Sequence, residues 1–212
     1  AVDVGSTTMA ANLCILETGE VISSAGAMNP QIRFGEDLMS RVSYSMMNSG
    51  GDLEMTKAVI AGLNSLFKEI AEEAKIDKNL ILDSVFVCNP VMHHLLIGID
   101  PFELGQAPFA LATSEHLNFS AKEINLEINP QAKTYILPCI AGHVGADAAA
   151  VALSESPNNS DDLVLIVDVG TNAEIMLGSK TRGVLACSSP TGPAFEGAQI
   201  SSGQRAAPGA IE

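Results

Sequence analysis

Two short segments of the 212-residue sequence carry an aspartate, a glycine and hydroxyl or amide residues in the same order. The first reads Val-Asp-Val-Gly-Ser-Thr at residues 2–7, and the second reads Val-Asp-Val-Gly-Thr-Asn at residues 167–172. A single Asp-x-Gly-Ser/Thr motif occurs often by chance. Two copies, each at the end of the first strand of a predicted three-strand run, are a much more specific sign of an internal duplication.

These residue types suit the binding of nucleotide phosphates. Gly5 and Gly170 permit tight hairpins in which the backbone comes close to a ligand. Asp3 and Asp168 would stand at strand ends, where carboxylates suit a hydrated Mg²⁺, because Mg²⁺ prefers oxygen ligands and keeps several waters. The residues after the glycines offer donors to phosphate oxygens, namely Ser6, Thr7, Thr8, Thr171 and Asn172.

We therefore predict two phosphate loops that face each other and clamp Mg·ATP. Hinge motion would then couple the nucleotide state to domain closure. The alternative is that the two segments are ordinary hairpins in which Asp, Thr and Gly simply form turns.

A third candidate element is Ala-Gly-His-Val-Gly-Ala-Asp at residues 141–147, which leads into an Ala-rich helix. The N-terminus of such a helix favours an anion. Asp147 is a candidate for positioning the attacking water, and an acid that merely complements the helix dipole is an equal alternative. His143 could bond a phosphate, although a structural or partner-facing histidine is favoured. Gly192 lies in a turn over residues 187–197 that is suited to closing over the nucleotide.

The predicted elements that carry these motifs also repeat. Residues 1–157 read β-β-β-α-α-β-α-β-α, and residues 162–212 start again with β-β-β-α. A helix is predicted over residues 36–47, and Asp52 is predicted to cap a second helix that reaches about residue 75. We predict a first domain at 1–157 and the N-terminal part of a second domain at 162–212.

Composition argues against several classes of function. The formal net charge of −14 disfavours binding to nucleic acid or to an anionic membrane surface. The apolar runs are too short to span a membrane. Four scattered cysteines predict buried thiols in a reducing cytoplasm. His93 and His94 are predicted to be core or surface histidines, since adjacent helical residues point in different directions. Met39, Met46 and Met47 are predicted to lie in the core or on a partner surface.

Longer motifs resemble a known family. The chain resembles the ATPase domain of the reductive activators of corrinoid proteins, within the superfamily of actin, sugar kinases and heat-shock chaperone ATPases. The resemblance implies an α/β fold, specifically a duplicated ribonuclease-H-like fold with one complete subdomain and the start of a second. The segments that carry it are residues 3–8, 29–37, 93–101, 140–147, 192–200 and 205–212.

The same resemblance implies an ATP-dependent activase. ATP binding and hydrolysis would drive reduction of Co(II) to Co(I) on the corrinoid protein of a methyltransferase system. In the family the electron comes from an iron–sulfur domain, whose cysteine spacing this sequence lacks. The segment that contacts adenosine is expected beyond Glu212, so the chain is interpreted as a piece of a longer cytoplasmic protein.

Two other functions stay open. One is a small-molecule kinase of the same fold, for which Asp147 could supply the catalytic carboxylate. The other is a nucleotide-sensing scaffold module with negligible turnover. An incomplete second domain would expose a sheet edge and apolar surface, which favours domain exchange or a homodimer.

Cys187 raises a separate question. Its surroundings resemble the ATP-dependent activators of 2-hydroxyacyl-CoA dehydratases, in which a cysteine at the comparable strand end serves an iron–sulfur cluster. Thr171 and Asn172 depart from the second phosphate loop of that family. We therefore predict that Cys187 is a buried thiol.

Overall fold

A computed structural model of the chain describes residues 1–170 and 172–191. The chain divides into two compact units, Ala1–Ala150 and a second unit that begins at Val151. The architecture is mixed α/β with a mixed sheet, as the sequence predicts. The domain boundaries drawn from the sequence, 1–157 and 162–212, stay predictions.

The first unit follows the predicted order of elements, with one short strand inside an otherwise irregular segment. Its strands are β1 (Val2–Val4), β2 (Thr8–Cys14), β3 (Val21–Met28), β4 (Asp83–Cys88), β5 (Leu117–Ser120) and β6 (Lys133–Ile136). Its helices are α1 (Leu38–Met47), α2 (Gly51–Glu73), α3 (Pro90–Leu96) and α4 (Ala146–Glu155), the last of which continues into the second unit.

The six strands form one sheet in the order β3-β2-β1-β4-β6-β5. β1 runs parallel to β4, and β4 runs parallel to β6, whereas the other neighbours are antiparallel. Side chains alternate across β1, so that Val2 and Val4 are buried while Asp3 is exposed. The carboxyl ends of parallel strands meet at one edge of a sheet, which is where ligands bind in open α/β folds. The first candidate loop follows β1 at that edge.

Helix α2 supplies much of the core of the first unit. Its apolar residues recur at helical spacing and form one buried face. Met55, Leu63 and Ile70 on this face are each at most 2% exposed. The helix packs on β2 and β3, so the hairpin that bears the first candidate loop is fixed to a rigid support.

Two helices in this unit begin at side-chain caps that the local sequence explains. Asp37 precedes α1 and accepts a hydrogen bond from the Ser40 N–H at 2.7 Å. Asn89 precedes α3 and accepts one from the Met92 N–H at 3.0 Å. Each cap satisfies a backbone N–H that has no partner within its helix.

The prediction that Asp52 caps the second long helix is wrong. Helix α2 already begins at Gly51, and the preceding Gly50 adopts a left-handed conformation with φ of 79° and makes no side-chain cap. Asp52 lies in the first turn, where a carboxylate complements the helix dipole. Because Gly50 occupies the capping position, the helix begins at Gly51, one residue before Asp52.

The second unit contains three antiparallel strands, β7 (Val164–Val169), β8 (Asn172–Ser179) and β9 (Gly183–Pro190). They pair in the order β7-β8-β9. In the first unit, β1, β2 and β3 pair in the same consecutive antiparallel manner. The duplicated three-strand start is therefore present in the structure. The helix predicted near Pro193 lies outside the described residues.

The adjacent histidines of α3 are core residues, which is one of the two readings that the sequence left open. His93 and His94 are 0% and 1% exposed. His94 Nδ1 donates to the Pro90 carbonyl at 2.8 Å, and its Nε2 accepts from the Ala112 N–H at 3.0 Å. Both ring nitrogens of His93 lack a hydrogen-bond partner among the described residues.

This environment makes His93 a determinant of acid stability. Burial, with His94 beside it, lowers the pKa of His93 to about 4. An unfolded chain takes up a proton at His93 near pH 6.5, so between these values the unfolded state binds more protons. The free energy of unfolding should therefore fall by about 3 kcal/mol as the pH falls through this window. Denaturant unfolding between pH 7 and pH 4 should show a smaller loss of unfolding free energy for His93→Phe than for the unaltered chain. The control variant His116→Phe, at an exposed position, should lose as much unfolding free energy over this range as the unaltered chain does. Equal losses for all three proteins would contradict the assignment of this effect to His93.

The prediction of four buried thiols needs correction. Cys88 and Cys139 are buried as predicted, but Cys14 is half-buried and Cys187 is exposed. Met39, Met46 and Met47 are exposed, which agrees with the surface alternative and excludes the core. Within the described residues, no helix is both long and apolar enough to cross a membrane.

Candidate nucleotide-binding site

The first candidate loop is a tight connection between β1 and β2. A β-carbon built on Gly5 would lie 2.6 Å from the carbonyl oxygen of Thr8, closer than real side chains approach. The close approach of the two backbone segments therefore requires glycine at this position. This confirms the tight hairpin that the sequence predicts at Gly5, while the binding roles of Ser6, Thr7 and Thr8 stay predictions.

Buried polar groups hold the carbonyl oxygens of this loop from behind. Asn29 Nδ2 donates to the Gly5 carbonyl at 2.8 Å, and the Asn29 N–H donates to the Thr7 carbonyl at 2.8 Å. Between these two contacts, Arg41 Nη2 donates to the Ser6 carbonyl. Asn29 and Arg41 are 1% and 0% exposed, so the donors of these contacts are buried.

The orientation of these carbonyls decides where the loop amides point. In a trans peptide the C=O and the following N–H point in opposite directions. Among the described residues only the Ala107–Pro108 bond is cis. Three carbonyls that face the buried side therefore turn the N–H groups of Ser6, Thr7 and Thr8 to the other side. Successive outward N–H groups are the arrangement that binds phosphate in many nucleotide loops.

The second candidate loop, between β7 and β8, has a related anchor. The Gly170 N–H donates to the Asn172 carbonyl at 2.8 Å, which closes the turn. Thr191 Oγ1 donates to the Gly170 carbonyl at 2.7 Å. Thr191 directly follows β9, as Asn29 directly follows β3. In both units, the residue after the third strand thus binds the carbonyl of the loop glycine. Thr171 and Gly192 lie outside the described residues.

The charges of Asp3 and Asp147 both raise the pKa of one buried thiol, that of Cys88. Burial raises the pKa of Cys88 well above its usual range, and the negative charges of Cys139, Asp147 and Asp3 act in the same direction. Cys88 ends β4, beside Val4 of β1. The structure therefore brings these two predicted carboxylates to the edge of the sheet that carries the first loop.

Close backbone packing fixes the start of α4 at that edge. A β-carbon on Gly145 would lie 2.7 Å from both the Cα of Asn89 and the carbonyl oxygen of Cys88. Asp147 Oδ1 accepts from the Ala148 N–H at 2.8 Å within the first turn of α4. This contact is consistent with the interpretation of Asp147 as a first-turn acid that complements the helix dipole.

The ring of His143 packs on the ring of Phe109, with 4.4 Å between the centroids. This contact favours the structural interpretation of His143 over a phosphate ligand.

Asp168 lies opposite Glu174 in the register of β7 and β8. Burial raises the pKa of Glu174, the hydrogen bond from Ser188 Oγ at 2.9 Å acts in the other direction, and the charge of Asp168 raises it further. Like charges directly opposite each other on neighbouring strands repel. A hydrated cation would relieve that repulsion, and oxygen donors are the ligands that Mg²⁺ prefers. The carboxylates of Asp168 and Glu174 are therefore donors of the type that a hydrated Mg²⁺ takes.

Sequence reasoning missed the residues that hold the loops, namely Asn29, Arg41 and Thr191. A usable signal exists for two of them, because Asn29 and Thr191 are the first polar residues after the third strand of each repeat. No local signal marks Arg41, which is 35 residues away from Ser6 in sequence.

Comparisons with known proteins relate the chain to one family. A family model described as the RACo middle region matches residues 1–158, and one described as the C-terminal domain of RACo, the ASKHA domain, matches residues 162–212. The chain is 32% identical to the corrinoid activation enzyme RamQ of Eubacterium limosum, with 100% of this chain and 35% of that protein aligned. It is 28% identical to a reductase of Methanosarcina barkeri, named for a Co(II) methylated amine-specific corrinoid protein, over 100% of this chain and 39% of that protein.

A solved structure gives the same result. A reductive activator for corrinoid, iron–sulfur protein superposes with a TM-score of 0.90 at 36% identity, over 98% of this chain and 33% of that protein. The chain thus spans between 33% and 39% of the length of these relatives. The actin-like fold expected from the resemblance is confirmed by the ASKHA match and by this superposition. The chain belongs to the RACo family, the reductive activators of corrinoid proteins.

Proposed function

We propose that this chain is the ATP-binding part of a reductive activator. The observation that carries the proposal is the first loop, in which Asn29 and Arg41 hold three successive carbonyls on the buried side. The opposite faces of those peptides present N–H groups, and such groups bind phosphate without a positively charged surface. This explains how a chain with a net charge of −14 can bind a polyanion.

The candidate residues then have distinct roles. Ser6, Thr7 and Thr8 would bind phosphate oxygens at the first loop. Gly170, Thr171 and Asn172 would do so at the second loop, and Gly192 would contribute to a closing turn. Asp3 and Asp168 would bind a hydrated Mg²⁺, which neutralises phosphate charge when it is present. Asp147 would orient the water that attacks the terminal phosphate.

The activity of the longer protein is proposed from its relatives. The names of these relatives describe corrinoid activation and the reduction of a Co(II) corrinoid protein. We propose that ATP binding and hydrolysis in this chain drive a change in the complex with a corrinoid protein of a methyltransferase system. That change permits one electron from an iron–sulfur domain to reduce Co(II) to Co(I). Such an activator would work in the cytoplasm.

Calorimetric titration with Mg·ATP tests the nucleotide site. The unaltered chain should bind, and Asp168→Asn should lose about tenfold or more in affinity, because it removes a charge from the Mg²⁺ side of the phosphates. Asp162→Asn removes an equal charge from an exposed position of the same unit and should bind as the unaltered chain does. Equal binding by all three proteins would show that the second loop is wrongly assigned. If the unaltered chain does not bind, the titration is repeated on a protein of the full length of its relatives, and absence of binding there would count against the ATP site.

Turnover separates the activator from the two other functions that the sequence left open. Addition of a Co(II) corrinoid protein should stimulate ATP hydrolysis by the activator. A kinase would respond instead to a small-molecule acceptor, and a nucleotide sensor would bind ATP with negligible turnover under either condition.

A further inference from the structure

Arg41 of α1 is a charged side chain in the interior of the first unit. It is 0% exposed. Burying a charge is costly unless an opposite charge or several hydrogen bonds compensate for it. Within the described part of the chain, the ion pairs join Lys68 to Glu72 and Lys78 to Glu127, and none involves Arg41. Among the described residues, the hydrogen-bond partners of the Arg41 guanidinium are all neutral groups.

Those neutral groups account for each nitrogen of the guanidinium. Nε donates to the Gly35 carbonyl at 3.0 Å. Nη1 donates to Gln31 Oε1 at 3.4 Å and to the Met92 sulfur at 3.1 Å. Nη2 donates to the Ser6 carbonyl of the first candidate loop. Three anchors thus hold the guanidinium in place, and its last nitrogen holds the loop.

The guanidinium keeps its charge at neutral pH. Burial lowers the pKa of Arg41 to about 10, and the more distant carboxylate of Asp37 acts in the opposite direction. At pH 7 the group is still protonated, since this value lies well above neutrality. A buried positive charge that takes part in none of the ion pairs of the described residues therefore lies directly behind the Ser6–Thr7 peptide.

We propose that Arg41 is a positioning residue of the first phosphate loop, which holds the Thr7 N–H outward and adds its buried positive charge to the attraction for the bound anion. The proposal rests on the proposed function, because it takes that anion to be the phosphate end of ATP. Donors that are fixed before the ligand arrives need no reorganisation on binding, and charges act strongly where water is excluded. Arg41 would supply both effects without touching the nucleotide.

The matched test compares two arginines of the same unit. Arg41→Gln removes the buried charge and the loop contact, whereas Arg33→Gln removes the same charge from an exposed position on the 3₁₀ helix Pro30–Phe34. Arg41→Lys keeps a charge, but one ammonium group is unable to reach all the acceptors of the guanidinium fork. Each protein is titrated with Mg·ATP by calorimetry, and its thermal unfolding is measured separately. Backbone ¹⁵N NMR then follows the Thr7 amide during the same titration, which is a readout that reduced stability alone would not move.

We expect Arg41→Gln to bind Mg·ATP about tenfold to a hundredfold more weakly, with a smaller shift of the Thr7 amide on titration. Arg41→Lys should fall between Arg41→Gln and the unaltered chain, and Arg33→Gln should match the unaltered chain. The proposal would be overturned if folded Arg41 variants bind ATP as tightly as the unaltered chain and show the same shift of the Thr7 amide resonance on titration. If Arg41→Gln does not fold, Arg41→Lys alone decides by the same two readouts. If the unaltered chain does not bind ATP, the same variants are made in a protein of the full length of its relatives, of which this chain spans 33% to 39%. Absence of ATP binding by that protein overturns the proposed function and this proposal with it.

Discussion

Replacement of Gly5 by alanine is expected to remove most of the affinity for Mg·ATP. The new methyl group would lie 2.6 Å from the Thr8 carbonyl oxygen, so the loop has to open. Opening would move the Gly5 carbonyl away from Asn29 Nδ2, which now lies 2.8 Å from it. A displacement of about 1 Å at a preorganised site typically costs about a hundredfold. Calorimetry with Mg·ATP measures the loss.

The matched control for this variant is Gly26→Ala. Gly26 lies on β3, and a β-carbon there would lie 3.6 Å from the Met9 carbonyl oxygen, which is an ordinary contact. This control should bind ATP as the unaltered chain does. Should Gly5→Ala bind as tightly as Gly26→Ala, the backbone of the first loop does not take part in phosphate binding.

Replacement of Gly145 by alanine should destabilise the first unit by about 2 to 3 kcal/mol. The added β-carbon would lie 2.7 Å from the Cα of Asn89 and from the carbonyl oxygen of Cys88. These are backbone atoms at the junction of β4 and α3, and Cys88 is 0% exposed, so neither can withdraw easily. The start of α4 would have to move, and Asp147 would move with it. Urea unfolding followed by circular dichroism measures the change.

Ser154→Ala tests whether the effect belongs to the junction or to the helix as a whole. Ser154 lies exposed near the other end of α4. Exposed helical substitutions of this kind usually change stability by less than about 0.5 kcal/mol. A loss of stability for Gly145→Ala no larger than that for Ser154→Ala would contradict this prediction. This outcome would mean that the backbone at the junction of β4 and α3 adapts to the added methyl group, and that the close packing of α4 against it does not fix the position of Asp147.

The secondary structure was largely predictable because its causes are local. The apolar spacing of α2 and the short apolar strands of the second unit are properties of neighbouring residues. The prediction failed where one glycine changes the backbone direction, as at Gly50, where a left-handed conformation makes Asp52 a first-turn residue instead of the cap. It also failed at Cys187, because exposure depends on what packs against a strand and not on the residue type.

The candidate site divides along the same line. The sequence by itself determined the two Asp-x-Gly loops and the glycine that a tight turn needs, since a loop of six residues defines its own spacing. Only the tertiary structure decided which groups hold those loops. Asn29 is 24 residues from Gly5, and Arg41 is 35 residues from Ser6. Contacts of that range depend on how α1 and the 3₁₀ helix Pro30–Phe34 pack behind the sheet, and no local pattern encodes a buried arginine that binds a backbone carbonyl. Short sequence motifs thus supply the residues of the loops, while packing between distant segments sets the direction of the loop amides.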